Sequence, residues 1–124
     1  MAPRKFQFAL TEILDEIGWI ERLTEDKSLA DFQADRTMRY AVERSIEIIS
    51  EASRRIPEEW KLTQTHIDWR AIAGMGNVMR HEYHTTSAEI VWNVVQEELR
   101  PLKAAVQAIA SAAPQEEDEA PPEN

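Results

Sequence analysis

Apolar residues recur at steps of three and four along the first part of the chain. Phe6, Leu10, Ile13, Leu14, Ile17, Ile20 and Leu23 make one stripe of a helix. The stretch from Ser28 to Phe32 interrupts the pattern and reads as a connection, with Ser28 or Asp31 as an N-cap. A second stripe, with Val42, Ile46, Ile49 and Ala52, predicts a helix from about Phe32 to Arg55, which Pro57 ends. The segment EEWKLTQTHIDW reads as a loop with one short turn. Asp68 is placed to cap a third helix over 69–84, whose main apolar residues are Ala71, Ile72, Met75, Val78 and Met79. Thr86 and Glu89 have capping-box spacing, so a fourth helix starts there and carries Ile90, Val91, Val94, Val95 and Leu99. Pro101 has no amide hydrogen and should kink or restart this helix near Leu102, after which the pattern resumes through Val106 and Ile109. β-branched alternation is scarce and no internal repeat is visible. The expected fold is an all-α bundle of four or five helices.

Length and charge refine this picture. A chain of 124 residues is one domain by size and can build a core without staples. With no Cys it has no disulfide framework and no thiolate metal site. The start, MAPRKFQFAL, is mildly basic, but no apolar run of signal-peptide length follows. No stretch approaches the roughly 20 apolar residues of a membrane span. A soluble cytoplasmic protein, away from membranes, is expected. The net charge of -9 argues at first against a polyanionic ligand. Much of it sits in the tail PQEEDEAPPEN, residues 114–124, which is expected to be disordered because it has no large apolar side chain to bury. Without the five acids of the tail, 18 acids stand against 14 bases, a balance of -4 for the body at 1–113.

The candidate chemistry lies in residues 74–84, GMGNVMRHEYH. On a helix, Asn77 and His81 are one turn apart, and Gly76 and Arg80 stack likewise on the neighbouring face. Tyr83 follows near the helix end. Histidine changes charge nearest neutral pH. His81 could take the proton of a ribose 2′-hydroxyl, which then attacks the adjacent phosphate. That reaction needs no metal, but it needs a cation or fixed donors for the charge that develops on phosphorus. The competing reading is a solvated helix end with ordinary polar residues, since a lone H-x-Y is a weak pattern. His81 and His84 could share a metal, but no carboxylate stands at an obvious third position and His66 lies in the preceding loop, so neither metal nor cofactor is expected. On the second helix, Arg44 and Glu51 share a face and could brace the motif helix, although surface ion pairing is the commoner role. Asp35 and Arg39 have the spacing of an exposed pair.

Three blocks together carry a resemblance: AVERSIEIISEASRRIP at 41–57, IDWRAIAGMGNVMRHEY at 67–83 and EIVWNVVQEELRPL at 89–102. The chain resembles the HepT-like proteins of the HEPN superfamily over nearly its whole length except the acidic tail. The resemblance implies a HEPN-type helical bundle that forms a homodimer, with the active site in a cleft at the dimer interface. The family's signature is Arg, four residues, His, one residue, Tyr, with a polar residue such as Asn commonly after the Arg. By resemblance His81 is the catalytic His, Asn77 the polar neighbour and Tyr83 the motif Tyr. The Arg position falls on Gly76, where this sequence departs from the pattern. The resemblance also implies an RNA substrate, no DNA, and a partner. HepT-like proteins are typically toxins of toxin–antitoxin pairs, and cleave RNA without a metal. A minimal nucleotidyltransferase antitoxin transfers AMP from ATP onto the motif Tyr, here Tyr83, placing bulk and negative charge in the cleft.

An Arg at 76 would offer a fixed positive fork to the scissile phosphate. Gly offers none and weakens a helix by about 1 kcal/mol relative to Ala. Three readings compete: a nuclease naturally altered into a regulatory or binding protein, a change selected because the active toxin kills its host, or replacement of the lost group by Arg80, about 6 Å further along by helix rise. The first two together are preferred. The sequence therefore points to a metal-independent RNA endonuclease toxin impaired at Gly76. The alternative is a catalytically silent dimeric binding partner or substrate of a minimal nucleotidyltransferase.

Overall fold

A computed structural model describes the backbone of residues 2–81 and 88–114, with the side chains of 6–79 and 88–114. Among these residues every regular element is helical. The first stripe forms α1, Ala2–Thr24, and its Phe6, Leu10, Ile13, Ile17 and Ile20 are buried, with Leu14 and Leu23 packed on the same core. The long second helix of the sequence reading is two helices: α2, Leu29–Ala34, and α3, Arg36–Ser53. The stretch read as a connection is thus helical itself. Ser28 caps it in a reciprocal box: Asp31 N–H donates to the Ser28 hydroxyl at 3.1 Å, and Ser28 N–H donates to the Asp31 carboxylate at 3.0 Å. That backbone donor, followed by the Ser28 hydroxyl, holds the Asp31 carboxyl below its ordinary value.

Asp35 separates α2 from α3. Its backbone is extended and its carboxylate accepts the Met38 N–H at 3.0 Å, which makes it the N-cap of α3. The expected Asp35–Arg39 pair does not form, because the cap occupies Asp35 and the Arg39 guanidinium donates instead to the Gln33 carbonyl. Val42, Ile46, Ile49 and Ala52 of α3 are fully buried, as predicted. After Pro57 a single turn, α4 (Glu58–Lys61), carries Trp60, whose ring stacks on Phe6 at 6.1 Å between centroids.

The next helix, α5, spans Trp69–His81. Beyond residues 82–87 the chain runs through α6 (Ala88–Asn93), a π-helical turn (Val94–Glu98) and α7 (Leu99–Ala112). The predicted cap at Thr86 lies outside the described residues. Pro101 was expected to restart the helix near Leu102; the restart comes earlier, at Leu99. The wide π turn precedes it, and Pro101 falls in the first turn of α7, where its missing N–H costs no internal bond. Val91, Leu99, Val106 and Ile109 are buried, whereas Ile90 of the predicted stripe is 49% exposed.

α3 sits between α1 and α5 and packs extensively on both; α1 in turn packs on α7. Neighbours run antiparallel. Arg55 near the end of α3 pairs with Glu12 in the first half of α1 at 2.7 Å. Glu21 near the end of α1 pairs with Lys103 early in α7 at 3.1 Å, and Gln7 at the other end of α1 donates to the Pro114 carbonyl. The bundle order is α5–α3–α1–α7, with Phe32 of α2 and Trp92 of α6 closing one end at 5.2 Å between rings. This is the all-α bundle that the sequence predicts. The acidic segment from 115 onward lies outside the described residues. No helix among those described is long and apolar enough to cross a membrane.

Candidate functional site

The site helix α5 is anchored before it begins. Asp68 accepts the Ala71 N–H at 3.0 Å, the predicted cap. The Trp69 indole donates to the carbonyls of Lys61 at 3.2 Å and Gln64 at 3.1 Å, tying the helix start to the preceding loop. The apolar stripe that seats α5 on the core is narrow: Ile72, Met75 and Met79 are buried, while Ala71 and Val78 face outward.

What fixes α5 laterally is a polar clip from α3. The Ser50 hydroxyl donates to the Ala73 carbonyl at 2.7 Å and accepts the Gly76 N–H at 3.0 Å. Arg54, one turn further along α3, donates to the same Ala73 carbonyl at 2.8 Å. The Ser53 hydroxyl, also buried, turns back to the Ser50 carbonyl at 2.7 Å. Small residues therefore face one another where the two helices meet, and Gly76 is buried at that contact. Gly76 is accordingly part of a helix–helix seam, a role the sequence reading did not assign. Ser50 was also missed, although a serine beside Ile46, Ile49 and Ala52 marks a polar gap in an otherwise apolar face.

Asn77 is exposed on the next position round the helix, and His81 closes α5 one turn later. The spacing predicted for this pair is thus realised on a helix. The side chains of Arg80 and His81, and all of Tyr83 and His84, lie outside the described residues. His66 is exposed in the loop before α5.

Arg44 and Glu51 do not brace α5. Arg44 pairs with Glu47 at 2.9 Å, and Glu51 approaches Arg54 at 4.0 Å. Both line a shallow surface cavity of 270 Å³ shared with Glu12 and Arg55, on the α1 side of α3. Seven-residue spacing placed them on one face, but that face looks away from the motif helix.

The half-buried acid on the α5 side of α3 is Glu43, two turns before Ser50 on the same face. Burial pushes its carboxyl above the ordinary 4.5; Arg39 opposes the shift and Glu47 adds to it. A separate cavity of 440 Å³ lies between α1 and the π turn, lined by Glu21, Arg22, Gln96 and Arg100 among others, and none of its residues belongs to α3 or α5.

Two outcomes follow. Ser50→Ala strips the second donor from the Ala73 carbonyl and the acceptor from Gly76, and should cost about 1 kcal/mol in a urea melt. For Glu43 the folded pKa lies above the unfolded one, so the native state binds more protons between the two. Stability then falls as pH rises from about 4.5 through the folded pKa. Glu43→Gln should therefore be more stable than the parent at pH 7, with the gain shrinking toward pH 4 in paired urea melts.

Comparison with known proteins gives this helix a context. The Ribonuclease HepT-like family model matches residues 13–109, which include α3, α5 and the 77–83 string. A probable ribonuclease HepT of Thermococcus cleftensis is 35% identical over 94 residues, covering 76% of this chain and 86% of that protein. A putative RNase of Caldanaerobacter subterraneus is 32% identical over 107 residues, 86% of this chain and 93% of its own. A putative RNase of Methanocaldococcus jannaschii is 28% identical over 109 residues, 88% of this chain and the whole of that protein. No solved structure matches. The match spans most of the chain and contains the whole α3–α5 seam with its Asn77–His81 edge, so the chain belongs to the HepT-like ribonuclease family.

Proposed function

We propose that this chain is the toxin of a toxin–antitoxin pair, a metal-independent RNA endonuclease whose activity is reduced by Gly76. The observation that carries the reading is the pairing of family membership with the α5 edge: Asn77 and His81 one turn apart at the end of a helix clipped to the bundle. His81 takes the 2′-hydroxyl proton of the substrate ribose. The 2′-oxygen bonds to phosphorus, the bond from phosphorus to the 5′-oxygen breaks, and a proton from the site or solvent completes the leaving hydroxyl. A 2′,3′-cyclic phosphate and a 5′-hydroxyl result. The Asn77 amide donates to a non-bridging phosphate oxygen as charge builds there. Tyr83 contacts the substrate and is the AMP acceptor for a minimal nucleotidyltransferase antitoxin. The working unit is a cytoplasmic homodimer that brings two such edges to one cleft.

Gly76 favours a second reading, a catalytically silent dimer that serves as partner and substrate of the nucleotidyltransferase. Position 76 supplies no cation, and its backbone is committed to Ser50. Arg80, one turn along, is the other candidate for a phosphate contact.

RNA cleavage separates the two. Gly76→Arg should cut a mixed RNA substrate on the order of 10²-fold faster than the parent, the scale of one transition-state electrostatic contact. Gly76→Arg combined with His81→Ala should be inert. Parent and Gly76→Arg both failing to cut, with helical circular dichroism intact, would leave the binding-partner reading in front. In a second experiment, the antitoxin and ATP should add AMP mass to the parent and none to Tyr83→Phe by intact-mass spectrometry. Equal addition to both proteins would remove Tyr83 as the acceptor.

A further inference from the structure

The cavity between α1 and the π turn lies apart from the α5 edge. Its volume is 440 Å³, within the roughly 300–1,000 Å³ of small-molecule pockets. α1 contributes Gly18, Glu21, Arg22 and Glu25 to its lining; Gln96 of the π turn and Arg100 of α7 line it from the other element. A π turn is rare, and where one occurs it is frequently part of a functional site. Here it ends two residues before Arg100.

The two arginines set this cavity apart. Arg44, Arg55 and Lys103 are held by carboxylates, and Arg54 donates to the Ala73 carbonyl. Arg22 and Arg100 have no hydrogen bond or ion pair among the described residues. Arg22 is nonetheless held in place. Its guanidinium stands 4.8 Å from the centre of the Trp19 ring and runs along Gly18, where a Cβ would lie 3.6 Å from Nη1. A guanidinium steadied by an aromatic face still offers its N–H fork to phosphate. Trp19 itself is 54% exposed, so indole surface remains for a second ring.

The acids narrow the choice of anion. Glu21 is tied to Lys103 at 3.1 Å. Glu25 also lines the cavity and has no hydrogen bond or ion pair among the described residues. A bare anion gains nothing from that carboxylate, whereas an anion joined to hydroxyl donors does. A ribonucleotide carries phosphate for arginines, ribose hydroxyls for a carboxylate and a base for an aromatic surface.

We propose that this cavity binds a ribonucleotide unit. Arg22 and Arg100 take the phosphate, Glu25 accepts a hydrogen bond from the ribose 2′-hydroxyl, and the base stacks on Trp19. The unit comes from an RNA strand or from a free nucleotide; the chemistry that recognises it is the same. The cavity shares no residue with the Asn77–His81 edge, so it binds whether or not that edge cuts RNA.

The test reads Trp19 directly and needs no cleavage. Nitrogen–proton correlation spectra follow the indole N–H signals of the whole chain, with Trp19→Phe assigning its signal and calorimetry giving the affinities. The probes are adenosine 5′-monophosphate, its 2′-deoxy counterpart, inorganic phosphate and a single-stranded oligoadenylate RNA. The Trp19 signal should move saturably with the ribonucleotide. Arg22→Ala and Arg100→Ala should each weaken that binding roughly tenfold, the scale of one charge-assisted hydrogen bond. Arg36→Ala, which removes an arginine beside Tyr40 outside the cavity, should leave it unchanged. The deoxy form should bind more weakly than the ribonucleotide, and Glu25→Ala should erase that difference. Tighter binding of the oligoadenylate than of the mononucleotide assigns the site to an RNA strand; equal or weaker binding assigns it to free nucleotides. A Trp19 signal unmoved by either overturns the proposal. So does parent-strength binding in both arginine variants, and so does inorganic phosphate reproducing the whole shift. Equal binding of the ribose and deoxyribose forms to the parent overturns the contact with Glu25. The nuclease reading is judged separately by cleavage: His81-dependent cutting with a still Trp19 signal removes only this site.

Discussion

The Ser50 clip is the contact on which the site depends. α5 is 13 residues long, a length at which an isolated helix is marginal in water. Its apolar seat consists of Ile72, Met75 and Met79, two of them flexible methionines that fill space without fixing orientation. A stripe of this kind holds a helix against a core but leaves its rotation loosely defined. The bonds from Ser50 and Arg54 to the Ala73 carbonyl, and from the Gly76 N–H to Ser50, define it. They are directional, and the Gly76–Ser50 bond is buried in the seam, where an unmade bond would be costly. The rotation they fix decides that Asn77 looks outward.

Gly76 then has two consequences that pull apart. As a helix-interior glycine it weakens α5 by about 1 kcal/mol relative to alanine. As a seam residue it presents a bare backbone N–H to the Ser50 hydroxyl, where the other contacting groups are also small. A side chain at 76 starts from that seam, so any cation restored there is carried by backbone that Ser50 already holds. A long guanidinium on a fixed stem keeps little of its rotamer freedom to lose on meeting phosphate.

Periodicity made the bundle legible, because burying one face of α1 and α3 forces apolar residues into three- and four-residue steps. What periodicity does not encode is which neighbour a polar face meets. Arg44 and Glu51 were correctly placed on one face, yet that face turns toward Glu12 and Arg55 of the α1 side. Asp35 looked like half of an exposed pair, but an aspartate carboxylate also satisfies a free helix N–H, and the cap divided one long helix into two. Val78 and Ile90 fitted apolar stripes and stand exposed at 42% and 49%. The string around His81 was readable as chemistry because its spacing fits a helix. Its support, Ser50, lies some 30 residues earlier and becomes related to it only when α3 and α5 pack.

Charge completes the argument. The body is acidic by four even without its tail, and the face of α3 that carries Ser50 adds the half-buried Glu43. On α3 two cations are already committed, Arg54 to the Ala73 carbonyl and Arg39 to Gln33 of α2. A polyanion approaching such a surface meets repulsion before it meets a donor. A cation at 76 would act twice, attracting the ground-state phosphate and countering the charge that grows in the transition state. On the proposed reading the glycine at 76 weakens both binding and chemistry, so one residue in a seam would separate a nuclease from a protein that is only bound and modified.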